Sequence, residues 1–214
     1  MCKYLLITIM VIPMINIFSQ ISPNKNFWDW FGKNENRLFN LEKEQNKLLD
    51  ELKVQLNKID TNLVFEFSTI QNGKREFVIS ADGYKKSFPA VEKLFNAAPK
   101  FERWVITKFR PRREKLYNID YKGIKVTPDE VAFELVPHNN KINITLFIKN
   151  YNESDKSIYG AIVFLFLDAA LGEYDVETKV GAIDMKSSKD ISNFDDNNVR
   201  FLAKRFDELY ARIN

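Results

Sequence analysis

The sequence predicts an α+β protein: a mixed, mostly antiparallel sheet packed against helices, with a long N-terminal helix and an amphipathic C-terminal helix. Three observations carry this. Short stretches of alternating apolar and polar residues are separated by turn-forming pairs, which gives strands. Apolar residues spaced three and four apart dominate both ends, which gives helices. The resulting order α, ββ, α, β, ββ, α, β, α mixes hairpins with helices instead of repeating a strict βα unit.

The first twenty residues, MCKYLLITIMVIPMINIFSQ, join one lysine to an apolar run and then a polar stretch, the order of a secretory signal peptide. The run is shorter than the roughly 20 residues that span a bilayer, and Pro13 and Asn16 interrupt it. Residues 1–20 are therefore expected to be removed, leaving 21–214 as a single α+β domain that is exported, periplasmic or secreted, with no stable membrane insertion. The only cysteine, Cys2, leaves with that segment, so the mature chain forms no disulfide and no thiolate metal site. Eighteen phenylalanines supply much of a core, and a chain of this length buries enough apolar surface to fold without staples.

Phe27, Trp30, Phe31, Leu38, Leu41, Leu48, Leu52, Leu56 and Ile59 follow the helical rhythm. Gly32 is a possible bend, and Asn34 a fresh N-cap. Strands over Leu63–Ile70 and Arg75–Ala81 flank Asn72-Gly73, the preferred pair for a type I′ hairpin. Ser87 and Pro89 open a short helix that Pro99 closes. Trp104–Arg110 reads as a strand, followed by a looser region with a short strand at Ile124–Val126. Val131–Val136 and Ile142–Lys149 form a second hairpin across the turn that holds His138. Ile158–Leu171 is apolar nearly all round, and Gly172 as a stop favours a helix. Tyr174–Met185 alternates as a strand does. Val199, Leu202, Phe206, Leu209 and Ile213 line one face of the last helix. No internal repeat stands out.

The segments FWDWFGKNENRLF, ISADGYKKSFPAVEKL and LDAALGEYDVETKVGAID together resemble an uncharacterised family of bacterial α+β proteins. The resemblance implies the order of elements and the helix over 158–171. It implies no activity and no catalytic residues.

Several chemistries are excluded by count. One histidine, in a turn, leaves no multi-histidine zinc site and no ordinary histidine-based triad. No glycine-rich phosphate loop occurs, and neither cofactor nor metal is expected. A net charge of +3 implies no global attraction to nucleic acid. Three constellations remain. Glu173, Asp175 and Glu177 stand at alternate positions, with Asp184 beyond. On a strand they form one row, spaced suitably for acid and base work on a glycan, or they form the wet face of a half-buried strand. The latter is the expected reading. Trp28 and Trp30, with Phe27 and Phe31, offer either a stacking platform or a core anchor. Arg110, Arg112 and Arg113 offer either a grip on carboxylate or phosphate, or a solvated loop. The ranking that follows puts a non-enzymatic exported binding or interaction domain first, its partner an unknown protein or an anionic or glycan ligand. A carboxylate-dependent glycan hydrolase and an immunity- or inhibitor-type protein are the alternatives.

Overall fold

The computed structural model describes residues 22–214; the expected signal peptide over 1–20 lies outside the described residues. Among the described residues, seven α-helices and eight strands follow one another in an α+β arrangement. The expected long N-terminal helix is instead a chain of shorter ones, α1 (Pro23–Lys33), α2 (Glu35–Phe39) and α3 (Gln45–Asn57), with a 3₁₀ turn at Leu41–Lys43 before the last. Asn34 and Asn40 take non-helical backbone angles at the breaks. Breaking the rod lets three separate apolar faces fold back on one core, whereas a straight helix of that length would bury only one stripe.

Strands β1 (Val64–Phe67), β2 (Arg75–Ser80) and β3 (Trp104–Lys108) form the first sheet, with helix α4 (Phe88–Asn96) between β2 and β3. Asn72 and Gly73 both have positive φ, as a type I′ turn requires. A small ribbon, β4 (Ile119–Tyr121) and β5 (Ile124–Val126), turns through Lys122-Gly123 in the same way. The second large sheet holds β6 (Val131–His138), β7 (Lys141–Ile148) and β8 (Val180–Ser187). Helices α5 (Lys156–Leu171) and α6 (Glu173–Lys179) connect β7 to β8, and α7 (Leu202–Ile213) closes the chain.

The two large sheets share one topology. In each, an antiparallel hairpin is followed by a helical crossover and a third strand parallel to the second. The turns agree as well. Asp82 after β2 and Asn150 after β7 both have positive φ, and each leads through a 3₁₀ turn into the crossover helix. The fold thus repeats where the sequence gives no expectation of it, because two segments can satisfy the same hydrophobic pattern with different side chains.

The buried apolar side chains fall into two clusters, one built from Phe27–Phe109 and the other from Ile119–Phe206. Phe27, Trp28, Phe31, Phe77 and Trp104 interlock in the first, with ring centroids 5–6 Å apart. Trp28 is an anchor: it is 3% exposed and donates its indole N–H to the Leu94 carbonyl at 2.8 Å. Trp28→Phe is expected to lose about 1–3 kcal/mol, from that bond and the unfilled ring volume, read as a lower urea midpoint.

The stretch after Gly172 is the main departure from expectation. Glu173–Lys179 is helix, and only from Val180 does the chain run as a strand. Glu173, Val176 and Val180 turn inward, a spacing of three and four that a helix satisfies as well as alternation satisfies a strand. Gly172 (φ 79°, ψ 145°) ends α5 and begins α6, with 103° between the two axes. A Cβ there would meet the Arg110 carbonyl oxygen at 3.3 Å and the Arg112 nitrogen at 3.4 Å. Only glycine suits both the angle and the space.

Candidate functional site

The corner at Gly172 seats the second half of the chain against the first. Glu173 is fully buried. Its Oε1 accepts the Ala81 and Gly83 N–H groups at 3.0 and 3.2 Å, and its Oε2 accepts the Arg110 N–H at 3.0 Å. The Glu173 N–H in turn donates to the Arg110 carbonyl at 3.0 Å. Ala81 and Gly83 follow β2, and Arg110 follows β3, so one carboxylate closes the carboxyl ends of two parallel strands. Arg112 completes the joint. It donates to the Leu171 carbonyl at 2.8 Å and pairs with Asp175 at 2.7 Å and Asp207 at 2.7 Å. Hydrogen bonding to Asp207 leads the interactions that hold its guanidinium above its ordinary range.

Beside this joint lies a cleft of about 480 Å³. It opens where β2 and β3 end, the position at which ligands commonly sit on sheets with parallel strands. Its charged lining comes from Glu66 on β1, Asp82 after β2, Arg110 and Arg113 after β3, Asp168 on α5 and Glu177 on α6. Its apolar lining comes from Tyr117, Tyr121, Phe164 and Leu165. Phe164 and Tyr117 are each about half exposed, which is costly for large side chains unless something covers them.

The carboxylates are not equivalent. Arg110 donates to Glu66 at 2.5 Å and Asp82 at 2.8 Å, and lies 3.5 Å from Asp168. Burial opposes its charge, but the bonds to Glu66 and Asp82 outweigh that and raise its pKa. Asp168 has only the longer contact with Arg110. Burial pushes its carboxyl up to about 6, helped by Glu173, Asp82 and Glu177 and opposed by Arg110. Glu177 has no ion pair among the described residues. Burial, then Glu173, raises its pKa. Its Oε1 lies 2.9 Å from where a Gly83 Cβ would stand, so a side chain there would displace the Glu177 carboxylate and would also strain the backbone at φ 75°.

The three sequence constellations therefore separate. Glu173, Asp175 and Glu177 do not form one row facing water: Glu173 is a buried joint, Asp175 pairs with Arg112 and Lys179, and Glu177 faces the cleft. Asp184 stands exposed on β8, away from them. A helix turns successive side chains by about 100°, so residues two apart point in different directions. Trp28 is buried and Trp30 is half-buried against the same core, so the paired platform does not form. Arg110 and Arg112 are internal struts, and Arg113 reaches Glu66 at 3.5 Å. All three already contact a carboxylate. Asp168 is the site residue that pattern reading overlooks. Its signal is a lone carboxylate inside the apolar run FLFLDAAL, where an acid is rarely placed without a partner.

Among the described residues no group of histidine, cysteine or carboxylate side chains is arranged to hold a metal ion, and no single helix is long and apolar enough to cross a membrane. Comparison with protein-family models, with curated proteins and with solved structures finds no match.

Proposed function

We propose that this is an exported, non-enzymatic binding protein whose ligand sits in the Arg110 cleft, presents a cationic group to Glu177 and Asp168, and lays an apolar or planar body on Phe164 and Tyr117. The export component rests on the pattern of residues 1–20 alone. The observation that carries the binding site is Glu177: a partly buried carboxylate with no ion pair among the described residues, in a cleft that also exposes large apolar side chains. A ligand ammonium supplies the missing counter-charge, and the aromatic rings add both apolar area and attraction for a cation. An anionic ligand, which the arginine-rich stretch suggests, is less favoured at this cleft, because Arg110 and Arg113 already contact carboxylates there.

Thermal shift with 2-phenylethylamine tests this. The amine is expected to raise the melting temperature, 2-phenylethanol is not, and Glu177→Gln is expected to weaken the amine at least tenfold, a loss of about 1.4 kcal/mol. Equal shifts from amine and alcohol, or none from either, sink the cationic assignment.

A second reading, carboxylate-dependent glycan hydrolysis, is favoured by one observation: the Asp168 carboxyl near 6 stands in the same cleft as Glu177. A protonated acid beside a second carboxylate is the pairing such hydrolysis needs. Release of chromophore from aryl glycosides, abolished by Asp168→Asn, would replace the binding reading with this one.

A further inference from the structure

A second cavity, of about 280 Å³, lies in the first half of the chain and shares no lining residue with the Arg110 cleft. Leu41, Leu49, Phe65 and Phe67 give it apolar walls, and Arg75 and Glu42 give it charge. Arg75 is the unusual member. Its side chain is 3% exposed, yet the protein meets its five N–H donors poorly. One terminal nitrogen donates to Glu42, another reaches the Leu38 carbonyl only at 3.4 Å, and the Nε–H has no acceptor among the described residues. Trp104, the register partner of Arg75 on the neighbouring strand, also has a buried indole N–H without an acceptor there. Residues paired in a parallel ladder present their side chains on the same face of the sheet. Two orphan donors thus stand on the same side of the first sheet, where buried donors are ordinarily satisfied, and of the two Arg75 lines the cavity.

Glu42 is a weak counter-ion for so buried a cation. Its side chain is 63% exposed, and it stands on the 3₁₀ turn Leu41–Lys43 between two helices, so it can swing outward without unwinding either. Hydrogen bonding to Arg75 lowers its pKa, which keeps it charged and competitive. Its single bond leaves unused the paired geometry, Nε–H with a terminal N–H, through which a guanidinium binds both oxygens of a carboxylate.

We infer that this cavity is a binding site for a small organic monocarboxylate, whose carboxylate pairs with Arg75 in place of Glu42 while its apolar body lies against Phe65 and Phe67. One buried cation with an acid already beside it favours a singly charged group over a dianion such as phosphate. The apolar walls favour a compact aromatic or branched aliphatic body.

Titration calorimetry of the full chain with 3-phenylpropionate, against 3-phenylpropan-1-ol, tests the assignment. The acid is expected to bind at least tenfold more tightly than the alcohol. Glu42→Gln removes the competing charge and is expected to tighten the acid about three- to tenfold while leaving the alcohol unchanged. Arg75→Met is expected to abolish the preference for the acid. Because that variant risks misfolding, Leu49→Trp serves beside it: it fills the cavity, leaves Arg75 in place, and is expected to weaken both ligands. Equal affinity for acid and alcohol, no tightening in Glu42→Gln, or no heat from the acid into the millimolar range with either wild type or Glu42→Gln overturns the proposal.

Discussion

Glu173→Ala is expected to cost the folded protein on the order of 3–5 kcal/mol, the largest effect of any single carboxylate removal in this molecule. Three backbone N–H groups, of Ala81, Gly83 and Arg110, end on this one side chain, and each orphaned buried donor costs about 1–3 kcal/mol, less whatever water recovers. Against a typical total stability of about 5–15 kcal/mol this is a large fraction. Glu173→Gln separates hydrogen bonding from shape. Its amide oxygen still accepts from Ala81 and Gly83, but its NH₂ meets the Arg110 N–H, donor against donor, so an intermediate loss of about 1–3 kcal/mol is expected. Urea unfolding of both variants measures this. A loss below about 1 kcal/mol for Glu173→Ala would show that Glu173 is not what joins the two sheets.

Asp168→Asn is expected to act in the opposite sense and to stabilise the protein above pH 6. The folded carboxyl titrates near 6, above its ordinary value of 3.8, so the folded chain holds this proton more tightly than the unfolded chain does. Stability from this group is therefore gained as pH falls from about 6 toward 4, and above 6 the ionised side chain is a liability. Two pKa units correspond to about 3 kcal/mol as an upper bound. Asparagine, which never ionises, should recover about 1–2 kcal/mol of that at pH 8 and little at pH 4, since it also forgoes the contact with Arg110. The difference between variant and wild type is the quantity to read, because Glu177, Asp82, Glu173 and Arg110 surround the same group in both proteins. An equal effect of the substitution at pH 4.5 and pH 8 would remove the assignment. Gain of stability with loss of amine binding would be the signature of a group kept for function at the expense of the fold.

The local elements are largely legible in the chain. Asn72-Gly73 announces its hairpin because few other pairs accept two positive φ angles. The alternation from Ile142 to Ile148 gives β7, and the apolar run to Leu171, broken only by Asp168 near its end, gives α5. The ribbon of β4 and β5 is only half visible, although Lys122-Gly123 carries the same type of turn signal as Asn72-Gly73. GEYDVETKVGAID misleads because seven residues of it fit both periods, and what chooses the helix lies far away in sequence, in the N–H groups that Glu173 satisfies. The arginines mislead for a related reason. Charge density in KFRPRREK is visible in the chain, but whether a guanidinium faces water or a carboxylate depends on Glu66, Asp82 and Asp207, which nothing local announces. Conversely, the buried arginine with unmet donors is Arg75, one basic residue within an otherwise ordinary strand.

By itself the sequence determined the α+β class, most element boundaries, the absence of thiol chemistry beyond Cys2 and the poverty of histidine, because these follow from composition and from periodicities of two and 3.6 residues. Tertiary structure alone decided that the same hairpin-and-crossover topology occurs twice, that Glu173 joins the two sheets, and that Asp168 and Glu177 line one cleft. The Glu173 joint depends on hydrogen bonds between residues more than sixty positions apart, and the free energy of a polar side chain is set by what surrounds it, not by its neighbours along the chain.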